Sequence, residues 1–278
     1  MAIRNESRIA TQLLHLALVI GLVVTALPLV WTVSSSLKPV ADIFTYPPRL
    51  LPQHATLQNY QRLFAGQPFG RWLFTSIWVA FVTTVISVFL SALAGFGFAK
   101  YRFRGRRILF DVMFSSLLVP FAVVLAPLFV EVARLGWADS YIALILPWVA
   151  PAFGVFMMRQ FIVQTIPDEL LDAARIDGAG EFTLFLRIVL PLLRPAIGAL
   201  TVWTFLNAYN SFLWPLTVLS SVDKFTLPLG LNAIYGNFNR EYGLVMAGSF
   251  LAAAPSIVMF LALRKQLIAG LTLGAVKG

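Results

Sequence analysis

The chain has 278 residues, 59% of them apolar and only 12% charged, with 24 Phe, 7 Trp and no Cys. Soluble domains carry about 25% charged residues, so a soluble globular protein is excluded, and so are disorder and collagen-like structure in a chain this rich in surface to bury. What remains is an all-α integral membrane protein, without disulfides, thiolate catalysis or cysteine-ligated metal.

A Lys, Arg, Asp or Glu at a bilayer centre costs roughly 2.5–3.5 kcal/mol, so uncharged runs mark the crossings. Six such runs occur, at 9–37, 72–99, 112–130, 140–158, 195–222 and 242–263. Each can supply the roughly 17–25 residues that cross a bilayer. The predicted helices cover roughly 11–33, 73–98, 112–133, 140–160, 195–219 and 243–263, in a single polytopic domain over 1–278. An even number of crossings puts both termini on one side. The N-terminus, residues 100–111, 159–194 and the C-terminus together hold 14 Lys and Arg against 7 in the opposite set, which predicts that both termini are cytoplasmic.

Helix one is longer than the apolar core of a signal peptide, about 7–15 residues, and is expected to be retained. His15, near its start, is read as an interfacial polar residue. The external segment 38–71 contains Pro39, Pro47, Pro48, Pro52 and Pro68, a density that predicts an irregular loop. Helix two ends at the basic run Lys100–Arg107. A sequence pI near 10.3 is compatible with nucleic-acid binding. A basic run directly at the end of a span is sufficiently explained as a topology anchor on anionic membrane lipid, and no nucleic-acid partner is expected. Helix three carries Pro120 and Pro127, and helix four Pro147 and Pro151. Prolines inside spans predict kinked helices beside a cavity.

The segment 165–191, read as a cytoplasmic loop, differs from its surroundings. Eight charges between Asp168 and Arg194 would cost on the order of 24 kcal/mol if inserted, so it stays in water. Its pattern is nevertheless helical. Thr165 with Asp168 resembles a capping box, and Leu170, Leu171, Ala173, Ala174 and Ile176 form an apolar face. Gly178 and Gly180 break the helix, with a positive φ expected at Gly178. Phe182, Leu184, Phe185, Ile188 and Val189 then form a second amphipathic stretch ending at Pro191. The pattern by itself fits either helices lying flat on lipid or a docking knob for a cytoplasmic partner.

In helix five, Trp203, Asn207, Asn210 and Trp214 recur at i, i+4, i+7 and i+11, placing two amides between two aromatic rings on one helical face. Sugars want that combination, because hydroxyls take amide partners and the apolar face of a pyranose stacks on a ring. The alternative is that the amides bond to another helix and Trp214 belongs to an interfacial belt. Tyr209, Ser211 and Phe212 are secondary candidates.

Asp172-Ala173-Ala174, three residues, Gly178, nine residues and Ile188-Val189-Leu190-Pro191 resemble the coupling loop of ATP-binding-cassette (ABC) importer permeases, E-A-A-x3-G-x9-I-x-L-P. One departure is Asp172 in place of Glu, which keeps the charge and shortens its reach. Ser36-Leu37-Lys38-Pro39, Thr56-Leu57-Gln58-Asn59-Tyr60, Phe212-Leu213-Trp214-Pro215-Leu216 and the C-terminal run Gly270–Gly278 are similar to the carbohydrate branch, in particular its maltose-type second permease. Other departures are Ser211, where the carbohydrate branch often has an acidic residue, and Thr75, where it often has Asn. The resemblance implies a type I importer architecture in the inner membrane of a prokaryote. It also implies a second permease subunit, two ATP-binding subunits gripping Asp172, Ala173, Ala174, Asp177, Gly178, Ile188 and Pro191, and an external substrate-binding protein. Lys277 would lie on a tail reaching the ATPase pair. The implied function is import of a di- or oligosaccharide, with glycerol phosphate or a polyol as the alternative cargo.

An enzyme is the rival class. Asp168 and Asp172 resemble half of the magnesium site of membrane prenyltransferases, but a second aspartate pair is missing, and Ser35–Lys38 fits S-x-x-K without its partner motifs. No phosphate loop G-x-x-x-x-G-K is present, so the energy must come from a partner. No catalytic set, metal or cofactor is expected.

Overall fold

The computed structural model describes residues 2–236 and 241–275, with side chains over 10–236 and 241–264. Every regular element among them is helical. The principal helices are α1 (Ala2–Ser36), α2 (Gln58–Gly66), α3 (Phe69–Lys100), α4 (Arg106–Ser115), α5 (Phe121–Arg134), α6 (Tyr141–Ile145) and α7 (Ala152–Thr165). They continue with α8 (Asp168–Ile176), α9 (Glu181–Leu184), α10 (Arg194–Tyr209), α11 (Leu213–Val218), α12 (Leu227–Gly236) and α13 (Tyr242–Ala275).

Four stretches are long and apolar enough to cross a membrane: Ala10–Ser36, Phe69–Lys100, Tyr141–Thr165 and Tyr242–Arg264. Two bent pairs raise the number to six if each is one span, namely Arg106–Leu118 with Phe121–Arg134, bent by 108°, and Glu181–Leu192 with Arg194–Tyr209, bent by 79°. The first bend falls at Pro120, which caps α5 in extended conformation, and a proline there supplies no N–H to continue the preceding helix.

Several boundaries differ from the expectation. The 32 residues of α3 would span about 48 Å, well beyond about 30 Å of hydrocarbon, so its ends project past the apolar layer. The segment 38–71 is not wholly irregular, because it holds a single turn at Val40–Ile43, the whole of α2 and the start of α3. The span expected over 195–219 is broken. Helix α10 stops at Tyr209 and α11 restarts at Leu213. Pro215 accounts for the break, since its ring in a continuous helix would meet the carbonyl of Ser211.

The chain forms two compact units, 1–69 with 231–254 and 70–230 with 255–278. In the first, two strings that resemble the carbohydrate branch hold each other. Asn59 Nδ2 donates to Ser36 O at 2.9 Å and to Lys38 O at 2.8 Å, the Ser36 and Tyr60 hydroxyls lie 2.7 Å apart, and Thr56 N–H donates to Leu37 O at 2.8 Å. Lys38 is buried, its ammonium 4.5 Å from the centre of the Trp31 ring and donating to Arg49 O. Gly243 closes the clasp, because a Cβ there would lie 2.3 Å from Asn59 Oδ1.

In the second unit, α3 and α7 approach at small residues. A Cβ on Gly95 would sit 2.8 Å from Arg159 N, and one on Gly154 would sit 2.4 Å from Ser91 Oγ. Close backbone approach of this kind is how helices pack when lipid removes the hydrophobic drive between them. One core of this unit gathers Phe96, Met158, Ile162, Leu171, Phe185 and Val189, and another gathers Val79, Val132, Leu144, Trp214 and Val218.

Candidate functional site

Two regions of the second unit carry candidate function, an elbow over 166–193 and a cavity. In the elbow, α8 opens after Pro167, with Asp168 and Glu169 in the first turn and Arg175 in the last, each sign where the helix dipole favours it. Thr165 is not the cap that the sequence suggests. It is the final residue of α7, and its hydroxyl donates to Phe161 O at 2.6 Å.

Helix α8 ends in a Schellman turn. Gly178 has φ 85°, its N–H donates to Arg175 O, and Ala179 N–H donates to Ala174 O, both at 3.0 Å. Nothing lies within 4 Å of a Cβ built at Gly178, so the backbone angle, not space, demands glycine here. Leu171 and Ala174 point into the core, while Asp172, Ala173 and Asp177 are exposed. Beyond Gly180, Leu184, Phe185 and Val189 turn inward, Ile188 is half-buried and Pro191 is exposed. A π-turn over Phe185–Val189, in which Leu190 N–H reaches back to Phe185 O, carries the chain towards α10. Two large apolar side chains flank the turn in the open, Ile176 at 86% exposure and Phe182 at 61%.

Charges knit this elbow together. Arg175 donates to Glu181 through Nε at 2.8 Å and Nη2 at 3.3 Å, and to Asp172 at 2.8 Å through Nη1. The Tyr101 hydroxyl donates to Glu181, while Lys100 Nζ donates to Asp168 at 2.5 Å and to Ile166 O. The guanidinium of Arg175, and after it the Tyr101 hydroxyl, hold the Glu181 carboxyl below its ordinary value. Burial, helped by Glu181, pushes Tyr101 up to about 12.

The cavity encloses about 860 Å³. It lies where three spans are interrupted, around Ser116–Phe121, Leu146–Pro151 and Asn210–Leu213, so the prolines at 120, 147 and 151 mark its position. Broken helices leave terminal backbone groups open, which membrane proteins tolerate where the chain lines a cavity.

Trp203, Asn207, Asn210 and Trp214 all border this cavity. Trp203 packs on Phe153, with ring centroids 4.6 Å apart. Asn207 and Asn210 do not bond across to another helix. Each Nδ2 donates one turn back, to Trp203 O and Leu206 O, at 2.8 Å, so each amide keeps its oxygen and one N–H for another partner. Trp214 is not on the same helix. It sits on α11, 2% exposed, with Nε1–H donating to Ala143 O at 2.8 Å. Ser211 and Phe212 also line the cavity, and Tyr209 is buried.

Several lining residues escape a reading along one helix face. Phe121 and Trp148 pack at 5.2 Å, and Phe121 meets Trp214 at 6.3 Å. Thr83, Thr204 and Thr226 bring buried hydroxyls to the lining without hydrogen-bond partners among the described residues. None of the described lining residues is charged. Lys277 lies outside the described residues. Among the described residues no group of three or more His, Cys, Asp or Glu could hold a metal ion.

Residues 87–266 match the family model described as binding-protein-dependent transport system inner membrane component. The chain is 39% identical over 254 residues to the arabinooligosaccharides transport system permease protein AraQ of Bacillus subtilis, with 90% of each chain covered. It is 36% identical to the lactose transport system permease protein LacG of Rhizobium radiobacter, covering 80% of this chain and 81% of that protein. In fold it is similar to the crystal structure of a bacterial ABC transporter involved in import of the acidic polysaccharide alginate. The TM-score is 0.81, with 94% of this chain and 97% of that chain covered at 22% identity.

Proposed function

Because the chain belongs to the family of binding-protein-dependent transport system inner membrane components, we infer that it is a permease subunit of an ABC importer that carries a di- or oligosaccharide across the cytoplasmic membrane. Six crossings with both termini cytoplasmic, a second permease, two ATP-binding subunits and an external substrate-binding protein complete the reading.

The observation that carries it is the two-faced elbow. Its inner face is buried against α3 and α7, while Ile176 and Phe182 stand exposed on either side of a turn locked by Gly178. Exposed apolar side chains on a polar segment suit a partner protein, and an ATPase whose cleft closes on nucleotide would move the elbow as one piece. The same surface supports the reading of a transporter subunit whose energy is supplied by a partner.

A neutral cavity lined by Trp148, Trp203, Asn207 and Asn210 favours an uncharged sugar over glycerol phosphate, whose anion would call for a cation in the lining. AraQ and LacG, named for arabinooligosaccharides and lactose, support the same cargo class.

The test is the complete complex in proteoliposomes, with ATP hydrolysis measured against neutral oligosaccharides, polyols and glycerol phosphate. Stimulation by an oligosaccharide is expected. Trp203→Ala should lower that stimulation about tenfold while basal hydrolysis is unchanged, as loss of an aromatic anchor does. Stimulation by glycerol phosphate alone would overturn the sugar assignment.

A further inference from the structure

Beyond the docking of the elbow, the structure shows a second link between the elbow and the cavity. Helix α3 carries Val79 and Thr83 on the cavity wall and ends at Lys100, about 25 Å further along its axis. Lys100 and Tyr101 make polar contacts with the elbow, at Asp168 and Glu181.

Lys100 is a poor candidate for an ordinary surface lysine. Its side chain is 8% exposed, so its ammonium is committed to Asp168 and Ile166 O, while Asp168 itself is 77% exposed. Tyr101 is placed with equal care. Its ring packs edge-on against Phe96 at 5.3 Å, and Phe96 stacks on Phe185 of the elbow at 5.7 Å. Glu181, which takes the Tyr101 hydroxyl, also takes two donors from Arg175, so a single carboxylate joins α3, α8 and α9 across the Gly178 turn. Exposed ion pairs contribute little to stability, but a forked guanidinium–carboxylate pair fixes orientation.

We propose that Lys100–Asp168 and Tyr101–Glu181–Arg175 form a strut through which displacement of the elbow drives α3, and with it one wall of the cavity. Lys100, Tyr101 and Glu181 are positioning residues: they touch neither nucleotide nor solute. The proposal rests on the importer reading above, because it needs a partner that moves the elbow. Without the strut α3 would be tied to the elbow by apolar packing alone, chiefly Phe89 and Phe96 on Phe185, which fixes orientation less than directed polar bonds do.

The experiment uses the reconstituted complex and reads solute imported per ATP hydrolysed. Lys100→Met combined with Tyr101→Phe removes an ammonium and a hydroxyl while keeping both side chains' bulk. The expected result is normal co-purification of the ATPase, normal basal hydrolysis, and transport per ATP reduced about fivefold, as for residues coupled in one network. Tyr101→Phe alone, a one-atom change that keeps the ring packing, should show a smaller loss in the same ratio. Lys100→Arg, retaining the charge, should restore the ratio. An unchanged ratio in the double variant overturns the strut. So does loss of ATPase binding, which would make these residues part of the docking face. A wild-type chain that recruits no ATPase refutes the importer reading itself, and that result is visible before any variant is made.

Discussion

The elbow and the cavity belong to the same unit and treat their polar groups in opposite ways. In the elbow, Asp168, Asp172, Arg175 and Glu181 are each paired, and the exposed apolar side chains Ile176 and Phe182 stand among Glu169, Asp177 and Arg187, which are exposed and in no ion pair among the described residues. In the cavity the charges are gone, the walls are aromatic, and the hydroxyls of Thr83, Thr204 and Thr226 have no partner among the described residues. A part that must be gripped and moved as one body gains from satisfying its polar groups internally. A part that must hold a hydroxylated solute and then release it needs spare donors and acceptors, each weak.

The sharpest way to break the comparison is at Gly178. A β-branched side chain at φ 85° faces strain of about 1–2 kcal/mol or more, concentrated in one turn. Gly178→Val is therefore expected to abolish ATP-driven uptake while single-cysteine labelling, made clean by the absence of native cysteine, reports unchanged membrane insertion. Gly180→Ala, two residues on at φ −68° and with open space around it, should transport normally. Equal loss from both would show that the turn needs flexibility and not a fixed left-handed geometry.

In the cavity the corresponding test is Trp214. Its burial and its bond to Ala143 O make it a structural wall before it can be a sugar platform. Trp214→Ala should cost about 3–5 kcal/mol of stability, read as a lowered midpoint of thermal unfolding in detergent. Trp214→Phe, which keeps most of the volume and orphans one carbonyl, should cost about 1–3 kcal/mol. If Trp214→Phe instead leaves stability intact and removes solute-stimulated hydrolysis, the indole N–H is a ligand to cargo and the distinction between wall and site fails at that residue.

These two regions were unequally legible in sequence for a physical reason. The elbow is built from neighbours: the step from Ala174 to Gly178 and the pattern of Leu171, Ala174, Leu184 and Phe185 are local, so spacing along the chain gives both the turn and the buried face. The cavity is built from breaks. Trp203 and Asn207 lie on α10 and Asn210 caps its end, so all three were recoverable from helical periodicity, and Trp214 reaches the same cavity by another route, after an interruption that Pro215 marks. Phe121, Trp148 and Phe153 come from helices whose bends cannot be read from hydropathy, which counts apolar residues and is blind to a 108° turn. The clasp of Ser36–Pro39 with Thr56–Tyr60 shows the same limit, since each string resembles the carbohydrate branch but only the bonds from Asn59 explain why they occur together.

The smallest expected effect lies at the end of α11, where a charge does serve the helix that carries Trp214. Asp139 has φ 53°, and its N–H donates to Val218 O at 2.7 Å, at the end of α11. Its carboxylate accepts from the Ser220 and Ser221 N–H groups at 3.0 Å, the Ser221 hydroxyl at 2.6 Å and Lys224 Nζ at 2.9 Å. The hydrogen bonds from Ser221 and then Lys224 hold the carboxyl well below the usual carboxylate range. A depressed folded-state value means the clip is fully formed above the ordinary aspartate value of about 3.9 and weakens as pH falls below it. Asn tolerates a positive φ, so Asp139→Asn keeps the backbone and removes the charge. It should cost on the order of 1 kcal/mol at neutral pH, and the gap to the unsubstituted protein should stay constant from about pH 8 to pH 5 and close below about pH 4. Thermal midpoints across that range decide it. A gap that already closes near pH 6 would mean that the Ser221 and Lys224 bonds do not hold the carboxylate, and that the end of α11, like the cavity lining, does without charge.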